Sequence, residues 1–448
     1  MPRFNKTTPR PTDLICMGRI AADFYAEQIY SPLEAVKSFN LYLGGCPANI
    51  SVGTSRLGLN VRMLSHVGTD DMGRFLRNTL VREGVDTSLL VDDPDHLTAI
   101  VILGINPPDR FPLIFHRENC ADMQITEADI DPKAFEQAKA CLLTGTGLST
   151  ESMRRASFHA VEIAKNASCA IVFDIDYRPV LWNLTNPGDG ESRYVSAPEV
   201  SKHMQALVPH CDLIVGTEEE VLCAGGCEEI EDAIKVIQDL SSAPIVLKRG
   251  EKGCLIYDPS EPEPIECEAF PVEVLNVLGA GDGFLSGFLR GWLRDEPWQT
   301  CGRYGNANGA LVVSRHGCAP AMASFEELEY FMAEHPKDPK VLTSARLDLL
   351  HRHCTLGKAK KFPLQTLAFD HRIQFEDTCR EAGKDLSVIA DFKAAVFAGF
   401  KKVAQAGHSK GALLIDPIYG QPSINEAVES GILTGLPIEA SGVHPIEW

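Results

Sequence analysis

Gly279-Ala280-Gly281-Asp282-Gly283-Phe284 is the stretch on which the reading of this chain turns. After it, apolar residues fall at Phe284, Leu285, Phe288, Leu289, Trp292 and Leu293, the spacing of one helix face. A glycine-rich turn therefore feeds a helix N-terminus, where unpaired N–H groups and a partial positive charge collect. Small residues there let backbone approach an anion closely. Asp282 falls in the first turn of that helix. It reads either as a helix cap or as a general base beside an anion cradle. Phosphoryl transfer needs a positioned hydroxyl, a group to take its proton, and donors for the moving oxygens. Asp282 with the amides of Gly279, Ala280 and Gly281 would supply the last two.

Working outward, a second glycine element lies near the N-terminus: Leu43-Gly44-Gly45-Cys46-Pro47-Ala48-Asn49. Gly-Gly before a helix of small residues allows close approach of backbone to a ligand, and Asn49 can donate to and accept from hydroxyls. Taken alone, the element reads equally well as a tight turn and a well-packed helix. From about residue 12 onward the chain alternates. Strand-like runs at 14–18, 101–105, 140–143, 170–175, 213–215 and 245–247 are interleaved with helix-like stretches such as 151–166 and 228–240. That alternation predicts an α/β fold with a mostly parallel sheet covered on both faces.

Composition narrows the function classes. The chain has 448 residues, 44% hydrophobic and 23% charged, with a net charge of −19. These values exclude a disordered or disulfide-stapled protein. The acidic balance argues against nucleic acid as a partner, because cations are not in excess to displace counterions from phosphates. No run approaches the ~18 apolar residues that span a bilayer, which argues against a membrane role. The 14 cysteines contain no C-x-x-C pair and read as inert thiols in a reducing cytoplasm.

The two glycine elements together resemble the paired signatures of the ribokinase-like (PfkB) carbohydrate kinases, and the unit carrying them is taken as residues 12–335. The resemblance implies a three-layer α/β/α sandwich with a small β-sheet lid over the sugar. It makes Asp282 the base and Gly279, Ala280 and Gly281 the anion hole. Thr217 to Glu220 resembles the family's N-x-x-E motif with Thr217 in place of Asn, which implies Glu220 as the Mg2+-holding residue. The run from Ile245 to Cys254 resembles the nucleotide-contacting strand and turn, implying Lys248, Gly250 and Gly253 as nucleotide contacts, with Asn308 bordering the adenine. ATP and Mg2+ are the implied cofactors. The family usually has Asp-Thr before the second glycine element. This chain has Asn276-Val277-Leu278, so a monovalent-cation role does not carry over and stays open.

For the acceptor, the resemblance implies Asp23, Gly44, Gly45 and Asn49 as contacts to sugar hydroxyls. His116-Arg117 and Asp174-Ile175-Asp176-Tyr177-Arg178 resemble elements of family members that act on keto-deoxy sugar acids. Arg117 and Arg178 would then clamp one carboxylate; the competing reading pairs each with a nearby acid. A small sugar acid is the expected partner, and a homo-oligomer is left open. A non-catalytic sugar-binding regulator is the alternative of another class.

His335-Pro336-Lys337-Asp338-Pro339-Lys340 reads as a linker. Residues 345–448 carry no net charge, so the whole −19 sits before them. This tail, with a basic run at Lys358 to Lys361, strands at 364–369 and 412–415 and a helix at 388–406, resembles part of an aldolase-like β/α barrel. About 100 residues fall short of the ~250 of such a barrel, so an incomplete β-α segment is expected. Asp370, His371, Lys393 and Asp416 are read there as solvated strand ends and a helix-surface lysine.

Overall fold

A computed structural model describes residues 10–107, 110–356, 364–406 and 410–437; the basic run Lys358 to Lys361 lies outside them. The strands of the first unit are β1 (Thr12–Met17), β2 (Ala21–Ala26), β3 (Phe39–Gly44), β4 (Val61–Gly68), β5 (Leu90–Asp93), β6 (Ala99–Leu103), β7 (Leu113–His116), β8 (Ala138–Thr144), β9 (Ala170–Asp174), β10 (Leu213–Thr217), β11 (Ile245–Lys248), β12 (Cys254–Tyr257) and β13 (Ile265–Cys267). Nine of them form one sheet in the order β13-β12-β11-β10-β9-β8-β1-β4-β5. All neighbours are parallel except β11–β12 and β12–β13.

The central strands are buried on both faces, which explains their unbroken apolar runs. Ile15, Met17, Cys141, Leu143, Ile171 and Phe173 face one core, which includes the helix Glu151–Ala167. Leu14, Cys16, Ala140, Leu142 and Val172 face the other, which includes the helices Cys46–Arg56 and Ala280–Trp292. The layers are α/β/α, and the helix expected after the glycine turn buries Phe284, Leu285, Phe288, Leu289 and Trp292.

β3, β2, β6 and β7 form a separate four-stranded sheet. The run at 101–105 therefore belongs to this small sheet and not to the large parallel one. Its alternating burial over Ala99–Leu103 is that of a strand with one covered face. Asp23, expected just past the first strand, lies within β2 of this sheet.

By packing, the helix Ala345–Leu356 goes with the first unit, since its Leu347 packs with Leu328 and Phe331. Its His351 Nδ1 also lies 3.2 Å from Glu327 Oε2. The second unit holds the parallel strands β14 (Leu364–Phe369), β15 (Lys410–Ile415) and β16 (Leu433–Gly435), with a core of its own around Phe397 and Ile415. Lys393 is not a surface lysine. It is fully buried, donates to Phe369 O (2.9 Å) and His371 O (2.8 Å), and is ion-paired with Asp416. Asp416 in turn caps the helix Pro417–Glu429. No helix among the described residues is long and apolar enough to cross a membrane.

The helix that carries Asp282 packs closely on the helix Trp298–Val313. A Cβ at Gly287 would lie 2.2 Å from Tyr304 O. Gly287→Ala is expected to cost about 1–3 kcal/mol by overpacking, measured as a lowered urea midpoint.

Candidate active site

Parallel strands deliver their C-terminal residues to one edge of a sheet. Here β11, β10, β9, β8 and β1 are consecutive neighbours, and they end at Lys248, Thr217, Asp174, Thr144 and Met17, the last leading through Gly18 into Arg19. From β1 the sheet runs to β4 on one side and to β8 on the other, and such a switch in direction opens a crevice. The helix Ala280–Trp292 brings its N-terminus to that crevice.

Gly279, not Asp282, is the N-cap of this helix, at φ +83°. A Cβ there would meet Cys318 Sγ at 2.1 Å, so the turn requires glycine twice over. Asp282 instead points its carboxylate into the cleft. Its Oδ2 accepts from Asn49 Nδ2 at 2.7 Å and from the Cys318 thiol at 3.6 Å. Burial raises its pKa, as does the charge of Asp176, against the opposing hydrogen bonds from Asn49 and Cys46. The two glycine elements thus meet through one bond. Asn49, read from sequence as a sugar contact, holds the Asp282 carboxylate, while its Oδ1 is buried without a partner and Asn49 lines the same cleft.

Lys248 is buried, which removes the reading of a solvated strand-end lysine. Its Nζ lies 3.2 Å from Asp174 Oδ1 and 3.5 Å from Glu220 Oε2. Burial alone would lower its pKa, but these two carboxylates outweigh that and keep it charged. Burial pushes Asp174 up to about 7, eased by Lys248 and reinforced by Glu220. Glu220 also closes a capping box, accepting from Thr217 N at 2.7 Å. A Cβ on Gly281 would lie 3.3 Å from Lys248 Nζ, so the ammonium borders the glycine cradle.

The small sheet covers the opposite wall. Ala21, Asp23 and Tyr25 alternate along β2 and all line the cavity, as do Val101 and Leu103 of β6. Asp23 is buried, and its Oδ1 has no hydrogen-bond partner. Burial pushes its pKa up to about 8, opposed by Arg19 and reinforced by Asp282. Gly44 serves Asp23 rather than the cavity, since a Cβ there would lie 1.9 Å from Asp23 Oδ2. Gly45, at φ +95°, lines the cavity.

Of the expected carboxylate clamp, both arginines reach the cavity. Arg117, however, donates Nε and Nη2 to Asp122 Oδ2 at 3.1 and 2.7 Å. Sequence reading missed Arg19, Arg193, Cys46 and Cys318, which also line this cavity. Arg19 pairs with Asp176 at 2.5 Å and holds that carboxyl below the usual range against burial.

A second, largely apolar cavity adjoins the first. Gly250, Gly253, Phe270, Val272, Phe284, Asn306, Ala310 and Val313 line it, and it shares Thr217, Lys248, Val277, Ala280 and Gly281 with the first. Asn308 does not border it. Its side chain is fully buried, donating to Gly283 O at 2.7 Å and accepting from Ala323 N at 3.3 Å. Neighbouring Asn306 and Gly309 take the lining positions.

This is the layout of a sugar kinase: an acceptor cleft and an apolar slot meeting at a glycine cradle with a carboxylate beside it. The description "pfkB family carbohydrate kinase" matches residues 11–324. The chain belongs to the PfkB family of carbohydrate kinases and is a sugar kinase. A second description, "Uncharacterized protein conserved in bacteria (DUF2090)", matches 327–448. The 5-dehydro-2-deoxygluconokinase of Geobacillus kaustophilus is 31% identical over 331 residues, covering 73% of this chain and 95% of that protein. A PfkB protein from Polaromonas sp. JS666 superposes with a TM-score of 0.61 at 26% identity, covering 71% of this chain and 99% of that one. An E. coli protein assigned as ribokinase II, solved with ATP and Mg2+, gives a TM-score of 0.65 at 24% identity, covering 72% and 100%.

Gly44→Ala would push Asp23 out of place. The KM for sugar is expected to rise about 10–100-fold, with the KM for ATP within about twofold, in steady-state assays of ADP release.

Proposed function

We propose that this kinase phosphorylates the primary hydroxyl of 5-dehydro-2-deoxy-D-gluconate, giving the 6-phosphate. That would place it in myo-inositol breakdown. The observation that carries the reading is the junction of the two cavities at Ala280 and Gly281, with Asp282 on the acceptor side. The curated relatives named 5-dehydro-2-deoxygluconokinase support the choice of acceptor.

Asp23 Oδ1 and Asn49 Oδ1, buried acceptors without donors, suit sugar hydroxyls. Arg178 suits the carboxylate end of the acceptor. Asp282 would take the proton of the attacking hydroxyl onto its carboxylate as the new O–P bond forms and the bond from the γ-phosphorus to the departing ADP breaks. Asn49 keeps that carboxylate turned toward the cleft. The Gly279–Gly281 amides at the helix N-terminus receive the charge of the moving phosphoryl oxygens. A cradle with no room for a Cβ at Gly279, bordered by the Lys248 ammonium, fits a polyphosphate. Glu220, at the edge of the same cleft, would help hold Mg2+, in part through water. ATP with Mg2+ supplies the phosphoryl group and the charge that screens its oxygens. The small sheet over the acceptor excludes water that would otherwise take the phosphoryl group.

Asp282→Asn is expected to lower kcat by about 10²–10⁴-fold while sugar binding, read by thermal shift, survives. Near-normal turnover would remove Asp282 as the base. Its carboxylate must be ionised to act, and its pKa is raised. The kcat/KM of the native enzyme should therefore fall with acidification in a limb lying above the ordinary aspartate value of about 3.9. Parallel assays on 2-keto-3-deoxygluconate and on neutral fructose test the acceptor. A higher kcat/KM for either would overturn the assignment, and ligand-dependent melting without ADP release would mark a regulator instead.

A further inference from the structure

Arg193 lies in the irregular segment between Asn183 and Ala197, and no sequence pattern singles it out. The structure pins this segment on both sides of it. Upstream, Gly190 N donates to Leu113 O of β7 at 3.1 Å, and Glu191 Oε1 accepts from Phe111 N at 2.7 Å. Gly190 is required there, because a Cβ would lie 2.4 Å from Leu113 O. Downstream, Tyr177 OH donates to Val195 O at 2.6 Å. Tyr177 immediately precedes Arg178, so this bond ties the segment to the end of β9. Arg193 and Arg178 both line the acceptor cavity.

The two guanidinium groups burden each other. Arg178's charge, followed by burial, lowers the pKa of Arg193 to about 10, although Glu220, Glu219 and Glu191 oppose it. Among the described residues, neither arginine has a carboxylate within ion-pair distance. Arg117 and Arg19, by contrast, are paired with Asp122 and Asp176. Two partly buried cations with no carboxylate paired directly to either leave their forks open to an anion, and guanidinium forks suit a planar carboxylate. Neither arginine lines the apolar slot, whereas Lys248, Ala280 and Gly281 border both cavities. The pair therefore belongs to the first cavity alone, beside Asp23 and Asp282.

We propose that Arg193, paired with Arg178, holds the carboxylate of the acceptor and sets the preference for acid over neutral sugars, in the place that sequence had given to Arg117. This rests on the sugar-acid reading above. The segment's bond to β7 makes the subsite depend on the small sheet being in place.

The test compares the native full-length enzyme with Arg193→Gln and Arg193→Lys, using 5-dehydro-2-deoxygluconate, 2-keto-3-deoxygluconate and fructose. Arg193→Gln is expected to raise the KM for the acids by about tenfold or more, a loss of about 1.4 kcal/mol or more. The acid-to-fructose ratio of kcat/KM should fall in step, with the KM for ATP within about twofold; Arg193→Lys should recover part of the ratio. Thermal melts establish that each variant is folded. An unchanged ratio in folded Arg193→Gln, with the native enzyme still preferring acids, overturns this inference and leaves the sugar-acid reading standing. A rise confined to the KM for ATP overturns it in favour of a phosphate contact. A native enzyme that prefers fructose overturns both.

Discussion

The hydrogen bond from Asn49 to Asp282 joins two chain segments more than 200 residues apart, and the site depends on it. One partner stands in the first turn of the helix after Gly45, the other in the first turn of the helix after Gly279. Each helix is entered through a glycine with positive φ, and each glycine is crowded where a Cβ would go. Backbone that tight leaves few ways to aim a helix N-terminus. The result is a positive helix end and a carboxylate placed side by side at the edge of a parallel sheet.

Negative charge is concentrated around that point. Asp23, Asp174, Asp176, Glu220 and Asp282 all line one cleft, and only some have cations to match. Arg19 neutralises Asp176, and Lys248 is shared by Asp174 and Glu220. Asp23 and Asp282 are left with raised pKa values. Such a cluster suits the Mg2+ proposed at Glu220 and the sugar hydroxyls proposed at Asp23 and Asn49. Arg178 and Arg193 carry the opposite imbalance within the same cleft.

Much of this was legible in sequence. The apolar runs of the central strands, the helix face behind Phe284 and the two glycine turns each carry a local signal, because their geometry is fixed within a few residues. The run at 101–105 was legible as a strand but not as part of the small sheet. Sheet membership is set by partners far away in sequence, here β2 and β7. Lys393 was misread because a lysine on a helix is usually solvated. Only the fold of the second unit brings Asp416 and two carbonyls to its ammonium.

Sequence by itself determined the layered α/β architecture, the glycine-rich turn and the place of Asp282 in the first turn of the helix behind it, since these rest on short-range periodicity and on glycines at positive φ. Tertiary structure alone decided which side chains were already engaged. Arg117 is tied to Asp122, Asn308 is locked between Gly283 and Ala323, and Arg193 lines the same cavity as Arg178 from a segment held by the bond between Tyr177 and Val195. The reason is physical: a charged or polar group's role depends on what lies within about 3 Å of it, and in a folded chain those neighbours come from anywhere along the sequence.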